Sequence, residues 1–474
     1  MSRSDAGSQG ARLRAGEPPD VLVLGTGQAG LCAAVAAAQR GASVLVLEKL
    51  AFPGGSTSMS SGLSAYAGTD EQVALGIHDS AESLRADILA TGQGRCDESL
   101  VDVYCREQLT TYRWLKDLGV TYGHVHAGSG QSVARSHSTD PSRMIDTLLR
   151  RAEELGVSVE FGIRAVQLLV EAEAVVGVLC EISGALVEVR AASVVLATGG
   201  FSRNLELLER FVPHMANAIH GGAVGSEGDG LLMGWKAGAD FRDTPYVKGT
   251  FGIYPGDDPR EGGTGILAVY KGAVAVNFSG RRFVDESLPY KALGDACLAQ
   301  EGHLAWQVFD QQTMDRDDPD VHIYWFSGRL ATGLLETADT LEELADKIGV
   351  PADELIRTVE GYNAAVRGEH LDAFGRRTLS GTEELPTELS RPPFYAHLSG
   401  SSVLATYCGL TVDPETRVLD VYGEPIPGLF AAGEVTGGFH GNGYVTGTSV
   451  GKSGIFGRLA GLAACAYASD AAHV

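Results

Sequence analysis

The chain has 474 residues, too many for one small core, and its length suggests roughly two or three domains. Hydrophobic content of 44% and charged content of 20% are ordinary for a globular enzyme, while a formal net charge of −23 repels phosphate backbones and argues against nucleic acid as a partner. No apolar run approaches the ~18–20 residues of a membrane span. The seven cysteines contain no CxxC or CxxCH, which argues against a disulfide framework, a zinc site or attached c-type haem, so no metal is expected.

Residues 1–18 are polar, lack an apolar signal core, and read as a disordered lead-in to a cytoplasmic protein. The first ordered stretch, "DVLVLGTGQAGLCAAVAAAQRGASVLVLEK", gives a strand, a glycine turn, an alanine-rich helix and a second strand ending at Glu48. Amphipathic helices are predicted near 79–91, 98–118 and 143–155, and 157–198 reads as a run of strands with polar turns. Region 244–395 changes character. It has loops rich in Gly and Pro ("TFGIYPGDDPREGGTG"), short strands around "GAVAVNFSGRRFV", and helices at 340–348 and 351–367. Strand-like segments and a small-residue helix follow. The expected domains are therefore 19–243 and 396–474 together, with 244–395 inserted between them.

Gly25, Gly27 and Gly30 form G-x-G-x-x-G between a predicted strand and helix. The first permits a tight turn, the second lets backbone approach a pyrophosphate, and the third packs helix on strand. The helix N-terminus offers free N–H groups and a partial positive charge to that anion. Glu48 ends the second strand, where an acid can bond an adenosine ribose hydroxyl. Further glycine segments, "KLAFPGGSTSMSSG", "VVLATGG" and "GLFAAGEVTGG", exceed the needs of a nicotinamide domain and suit an extended FAD. Only one complete G-x-G-x-x-G occurs, so FAD is expected as the sole dinucleotide.

Alongside these stand "EGDGLLMGWKAGA" (227–239), "TVEGYNAAVRG" (358–368), "DAFGR" (372–376) and "IPGLFAAGEVTGGFHG" (426–441). Together they resemble the flavoprotein superfamily of fumarate reductases, succinate dehydrogenases and 3-ketosteroid dehydrogenases over about 20–468. The resemblance implies an α/β fold, a Rossmann-like FAD-binding domain interrupted by an inserted α+β capping domain. Substrate would lie between cap and flavin. It implies flavin contacts from Gly25, Gly27, Gln28, Ala29, Gly30, Glu48, Lys49, Gly54, Gly55, Ser56, Thr57, Ser61, Gly62, Ala165, Val166, Thr198, Gly199, Gly200, Asp229, Gly433, Glu434, Ser449 and Val450. Gly54-Gly55-Ser56-Thr57 lacks the histidine to which succinate dehydrogenases attach flavin, so the FAD should be non-covalent.

Within the superfamily, fumarate reductases clamp two carboxylates with arginines, whose planar fork suits the task. The place of one such arginine, within "RRFVDESLPYKALG", holds Tyr290, and that of another, within "GGFHGNGYVTG", holds Tyr444. Gly265 and Ile266 stand where the family has Thr-Glu, and His440 alone keeps its family identity. "DESLPY" and "GYVTG" resemble instead the "NESLPY" and "GY-small-Ser-Gly" blocks of 3-ketosteroid 4(5)-dehydrogenases, with Asp285 for Asn and Thr446 for Ser. That resemblance implies desaturation of a cyclic ketone, a 3-ketosteroid or a smaller ring, with electrons passed to an unnamed acceptor. Tyr290 would be the base, and Tyr444 with backbone N–H groups near Thr446 and Gly447 would hold the ketone oxygen, the two tyrosine roles being exchangeable. A tyrosine base needs its pKa of ~10 lowered. The alternative enzyme is an enoate or dicarboxylate reductase, and a third reading is a non-catalytic flavin sensor. Lys291 and Asp295 read as an exposed helical face, Arg281 and Arg282 as residues that salt-bridge to the acidic cap or shape the domain joint, and Tyr112, Trp114 and Tyr122 as core packing in preference to the wall of an apolar pocket.

Overall fold

The computed structural model describes residues 17–182, 184–256, 265–319, 321–380 and 384–471; the lead-in at 1–16 and much of the Gly/Pro loop, 257–264, lie outside them. The chain divides into two compact units. The first comprises the described parts of Met1–Val212, Gly222–Val247 and Ala405–Val474, and the second those of Pro213–Gly221 and Lys248–Leu404. Among the described residues, no helix is long and apolar enough to cross a membrane, and no group of three or more His, Cys, Asp or Glu could hold a metal ion. All seven cysteines are free.

The first unit is built on a six-stranded sheet. Its strands are β1 (Val21–Leu24), β2 (Val44–Glu48), β3 (Ser158–Phe161), β4 (Ser193–Leu196), β5 (Arg417–Leu419) and β6 (Pro425–Ala431). The order is β5-β6-β4-β1-β2-β3, parallel throughout except for the β5–β6 pair. β1, β2 and β4 are short apolar runs with every residue buried, as strands covered on both faces must be. Between β1 and β2 runs helix α1 (Gln28–Ala38), buried from Gln28 to Ala37. Its small side chains admit the last helix, α2 (Thr448–Ala471), at backbone distance. A Cβ on Gly457 would lie 2.4 Å from the Ala29 carbonyl oxygen, and one on Gly461 2.1 Å from that of Ala33. Three helices, Ala81–Thr91, Glu98–Leu118 and Pro141–Glu154, begin at Ser80, Asp97 and Asp140, whose side chains accept from first-turn N–H groups. An antiparallel meander, Arg164–Glu171, Ala174–Ile182 and Ala185–Arg190, fills the interval before β4.

The second unit centres on the ten-residue strand Phe394–Val403. It pairs antiparallel with Leu304–Asp310, Thr250–Ile253 and Glu336–Ala338, and parallel with Ile219–His220. Helices Leu341–Ile348 and Ala352–Val366 pack on a core that includes Val274, Val308, Leu355 and Phe394. Of "GAVAVNFSGRRFV" only Val274–Val276 is a strand, returning through one bridge from Val276 to Arg282. Arg282 there meets Glu286 at 2.6 Å and Asp372 at 2.6 Å, and Arg376 meets Glu286 at 3.4 Å, all four side chains being nearly or fully buried. Removing one partner would strand a buried charge, which gives "DAFGR" (Asp372 and Arg376) a structural role.

Candidate active site

The turn from β1 into α1 discriminates among its glycines. Gly25 has φ +109°, and a Cβ there would meet the Ala197 carbonyl oxygen at 2.4 Å; one on Gly30 would meet the Gly25 carbonyl oxygen at 2.0 Å. Those two are held by the protein's own backbone. Around Gly27 the nearest atom to an added Cβ is Thr57 Oγ1, at 3.7 Å. This open ground faces the start of α1, where free N–H groups favour an anion. Glu48 is buried and braces the turn: Oε2 accepts from Thr26 N (3.0 Å) and Thr26 Oγ1 (2.7 Å), while Oε1 accepts from Leu50 N (2.9 Å). A carboxylate has about four acceptor positions, so one remains for a ribose hydroxyl. The residues fit FAD.

The other expected flavin contacts separate into two groups. Near the turn, Gly54 N donates to Thr26 O (3.2 Å), Gln28 N donates to Thr57 Oγ1 (3.2 Å), and Ser56 Oγ lies 3.3 Å from Ser226 Oγ. Gly55 and Gly199 take positive φ, at +49° and +75°. A Cβ on Gly200 would strike Thr406 Oγ1 and Glu434 Oε1 at 2.2 and 2.3 Å, so this turn and Gly433-Glu434 share one packed corner. Ser449 and Val450 lie in the first turn of α2, and Ala29 lies buried in the first turn of α1. The second group is engaged elsewhere. The Gln28 side chain is buried beside Gly454 of α2, so only its backbone serves the turn. Lys49 and Asp229 pair at 2.5 Å, and Asp229 also takes Arg164 at 2.6 Å. Val166 is exposed although Ala165 is buried, because they alternate across one strand. Ser61 is exposed, Gly62 is packed beneath the Thr139 carbonyl, and Thr198 Oγ1 abuts Gly230.

Behind Glu434 lies a buried cluster that sequence patterns did not reveal. Glu434 Oε1 accepts from Thr406 N at 3.0 Å, and Lys452, in α2, donates to the Thr436 carbonyl at 2.7 Å. Burial raises the Glu434 and Asp243 carboxyls above their ordinary range and lowers the Lys452 ammonium to about 8, with Asp243 and Glu434 opposing that fall. The signal was Lys452, the one lysine of a helix rich in Gly, Ala and Ser.

The proposed catalytic side chains occur in both units. In the first, His440 and Tyr444 rings lie 5.6 Å apart, with Tyr407 4.9 Å from His440 and 5.3 Å from Tyr444. Gly447 N donates to Tyr444 Oη at 3.2 Å, and Thr446 N donates to the Ser129 carbonyl at 2.9 Å. The expectation that these N–H groups await a ketone is corrected: both already have acceptors. Burial raises the Tyr444 hydroxyl above its ordinary value, against the lowering action of the Gly447 N–H and Ser449. That favours a hydrogen-bond donor over a base. In the second unit, half-buried Tyr290 opens helix Tyr290–Leu298 and packs against the core containing Phe251, Leu293 and Phe309. Lys291 is buried, with Nζ donating to Thr250 Oγ1 at 2.7 Å, and Asp295 pairs with Lys248 at 2.6 Å. The exposed-face reading of Lys291 is corrected.

FAD is expected to leave the protein intact on acid precipitation, because no histidine follows Gly54-Gly55. Flavin absorbance in the washed pellet would contradict this.

The comparisons with known proteins agree with the cofactor. Residues 20–450 match the family model described as FAD binding domain. A probable fumarate reductase of Shewanella frigidimarina is 33% identical over 467 residues, covering 96% of this chain and 76% of that protein. The vinyl phenol reductase of Lactiplantibacillus plantarum is 31% identical over 486 residues, covering 94% and 96%. Among solved structures, an open-conformation flavocytochrome c3 fumarate reductase aligns with TM-score 0.83 and 31% identity, over 99% of this chain and 82% of that one. The 3-ketosteroid-delta4-(5alpha)-dehydrogenase of Rhodococcus jostii aligns with TM-score 0.75 and 28% identity, over 94% and 96%. The expectation of ketone desaturation is overturned by curated relatives that are named as fumarate and urocanate reductases. The chain binds FAD and belongs to the FAD-binding flavoprotein superfamily that contains the fumarate reductases and 3-ketosteroid dehydrogenases, as an oxidoreductase of CH–CH groups or carbon–carbon double bonds.

Proposed function

We propose that the chain reduces a carbon–carbon double bond activated by an adjoining carbonyl or aryl group. The observation that carries this reading is the run of reductase relatives, named for fumarate, urocanate and vinyl phenol, that cover 94–96% of the chain. FAD, when bound, supplies the hydride. The chain must hold the activating group, exclude water and give a proton to the neighbouring carbon. Tyr290 is the proposed proton donor, and Tyr444, kept protonated by burial, the donor to the activating group. We take the second unit as the cap that covers the substrate.

The substrate class follows from charge. With tyrosines in both arginine places of the fumarate reductase pattern, a second carboxylate would be buried against neutral groups at an uncompensated desolvation cost. We therefore favour substrates with one anionic group or none. Holoenzyme reduced by light under anaerobic conditions should be reoxidised by cyclohex-2-enone at least ~100-fold faster than by fumarate, the scale of one or two charge-paired hydrogen bonds. Reoxidation by fumarate at an equal or greater rate would overturn the charge argument, and no reoxidation by any activated alkene would overturn the function.

A further inference from the structure

Tyr407 holds a backbone conformation that its side chain disfavours. Its φ is +53°, and Cys408 N donates to the Thr406 carbonyl across it at 2.6 Å, closing a γ-turn. Glycine takes positive φ without penalty, whereas a bulky aromatic residue there is strained and persists only where its surroundings fix it. They do so here. Glu434 Oε1 accepts from Thr406 N at 3.0 Å and from Thr406 Oγ1 at 3.4 Å, and Gly409–Leu410 pairs with Phe241–Arg242 just beyond the turn. The held ring lies 5.3 Å from the ring of Tyr444 at an interplanar angle of 32°, and meets His440 edge-on at 4.9 Å and 70°. Tyr407 and His440 are buried, while Tyr444 is only partly so. The three rings make a triangular cluster, each within 5.6 Å of the other two, whose more exposed member is Tyr444.

We propose that Tyr407 is a positioning residue that backs Tyr444, so that Tyr444 offers a fixed π face to an aromatic ring of the substrate. Among activated alkenes, the enzyme then selects those conjugated to an aryl group. This rests on the reading of the chain as an alkene reductase. The tilted Tyr407–Tyr444 pair leaves the other face of Tyr444 for a substrate ring, since aromatic pairs favour offset or tilted contacts at ring separations of about 4.5–7 Å. A packing role alone would not call for a tyrosine where glycine fits the backbone best.

The test uses oxidised holoenzyme, which cannot reduce an alkene, so a titration followed by flavin absorbance reads binding alone. The ligands are 4-phenylbut-3-en-2-one and its alkyl counterpart pent-3-en-2-one. The parent should bind the aryl enone at least about tenfold more tightly, a difference of the order of one stacked ring. Tyr407→Phe should keep that ratio. Tyr407→Gly should bring it to about threefold or less; it relieves the turn but removes a buried ring, so the thermal midpoint should fall. Should Tyr407→Gly fail to hold flavin, Tyr407→Asn, which tolerates positive φ, makes the same comparison. Equal affinities in the parent, or one common factor of loss for both ligands in the variants, would overturn the proposal. The same enones are then offered to light-reduced enzyme. The predicted ratio with no reoxidation by either enone overturns alkene reduction and leaves the aryl-selective face standing, whereas reoxidation without the ratio does the reverse.

Discussion

Gly27→Val is expected to give a folded protein without FAD, and Gly30→Val a protein that folds poorly or not at all. The two glycines belong to one motif, yet their surroundings differ. A Cβ on Gly30 meets the Gly25 carbonyl oxygen at 2.0 Å, and that oxygen belongs to the turn itself, so neither side can give way. Overpacking typically costs about 1–3 kcal/mol where neighbours can shift, and more where only backbone is available. At Gly27 the nearest atom to an added Cβ is 3.7 Å away and φ is an ordinary −66°, so the apoprotein has room there that Gly30 lacks. What a valine obstructs is the approach of a pyrophosphate to the start of α1. Far-UV circular dichroism and thermal unfolding report the fold, and absorbance near the flavin bands reports the cofactor. A full flavin spectrum in Gly27→Val would mean that the phosphate site lies elsewhere.

Tyr290→Phe is expected to slow reoxidation of the reduced flavin by an enone about 100–10,000-fold, the usual range for losing a general acid. Flavin content and stability should persist, because the ring keeps its packing against the core around Phe251 and Leu293. The turn that delivers it is fastened independently by Tyr270 Oη, which donates to the Leu288 carbonyl at 2.8 Å. Tyr444→Phe should act differently. It removes the acceptor of the Gly447 N–H at the head of α2, so it should cost stability of the order of ~1–3 kcal/mol as well as rate. Stopped-flow reoxidation and thermal unfolding of both variants separate the two roles. A Tyr290→Phe rate equal to the parent's would move the proton donor elsewhere.

The glycine-turn unit was legible because its spacing is a local property: strand, turn, helix and acid follow within Val21–Glu48. The helices at Ala81–Thr91, Glu98–Leu118 and Pro141–Glu154 were legible for the same reason, through amphipathic periodicity. Lys291 was misread because charge at helical spacing resembles a solvated face. Its ammonium is satisfied by Thr250, a partner distant in sequence that no periodicity discloses. Tyr407 escaped notice because its importance lies in a φ angle and in two rings brought from other loops. The reaction was misjudged at Tyr444 and Thr446. Motif letters identify a hydroxyl and an N–H, but they do not reveal that Gly447 N already donates to the phenol, or that burial keeps it protonated. Residue types carry over between related proteins more readily than the state of their protons.

The close seating of α2 on α1 sets an order of events during synthesis. β1 and α1 leave the ribosome long before β6 and α2. The sheet that flanks them lacks β6 until residue 431, and α1 lacks its backbone-distance neighbour until Gly457 and Gly461 have been made. Early and late parts of the chain must find each other after the whole of 248–404 has been produced, a demand for non-local contact that slows folding. A nascent chain that still lacks β6 and α2 therefore has no finished cradle for the flavin. Shortening the C-terminus by even half of α2 should for the same reason yield colourless protein, although the glycine motif some four hundred residues upstream is untouched.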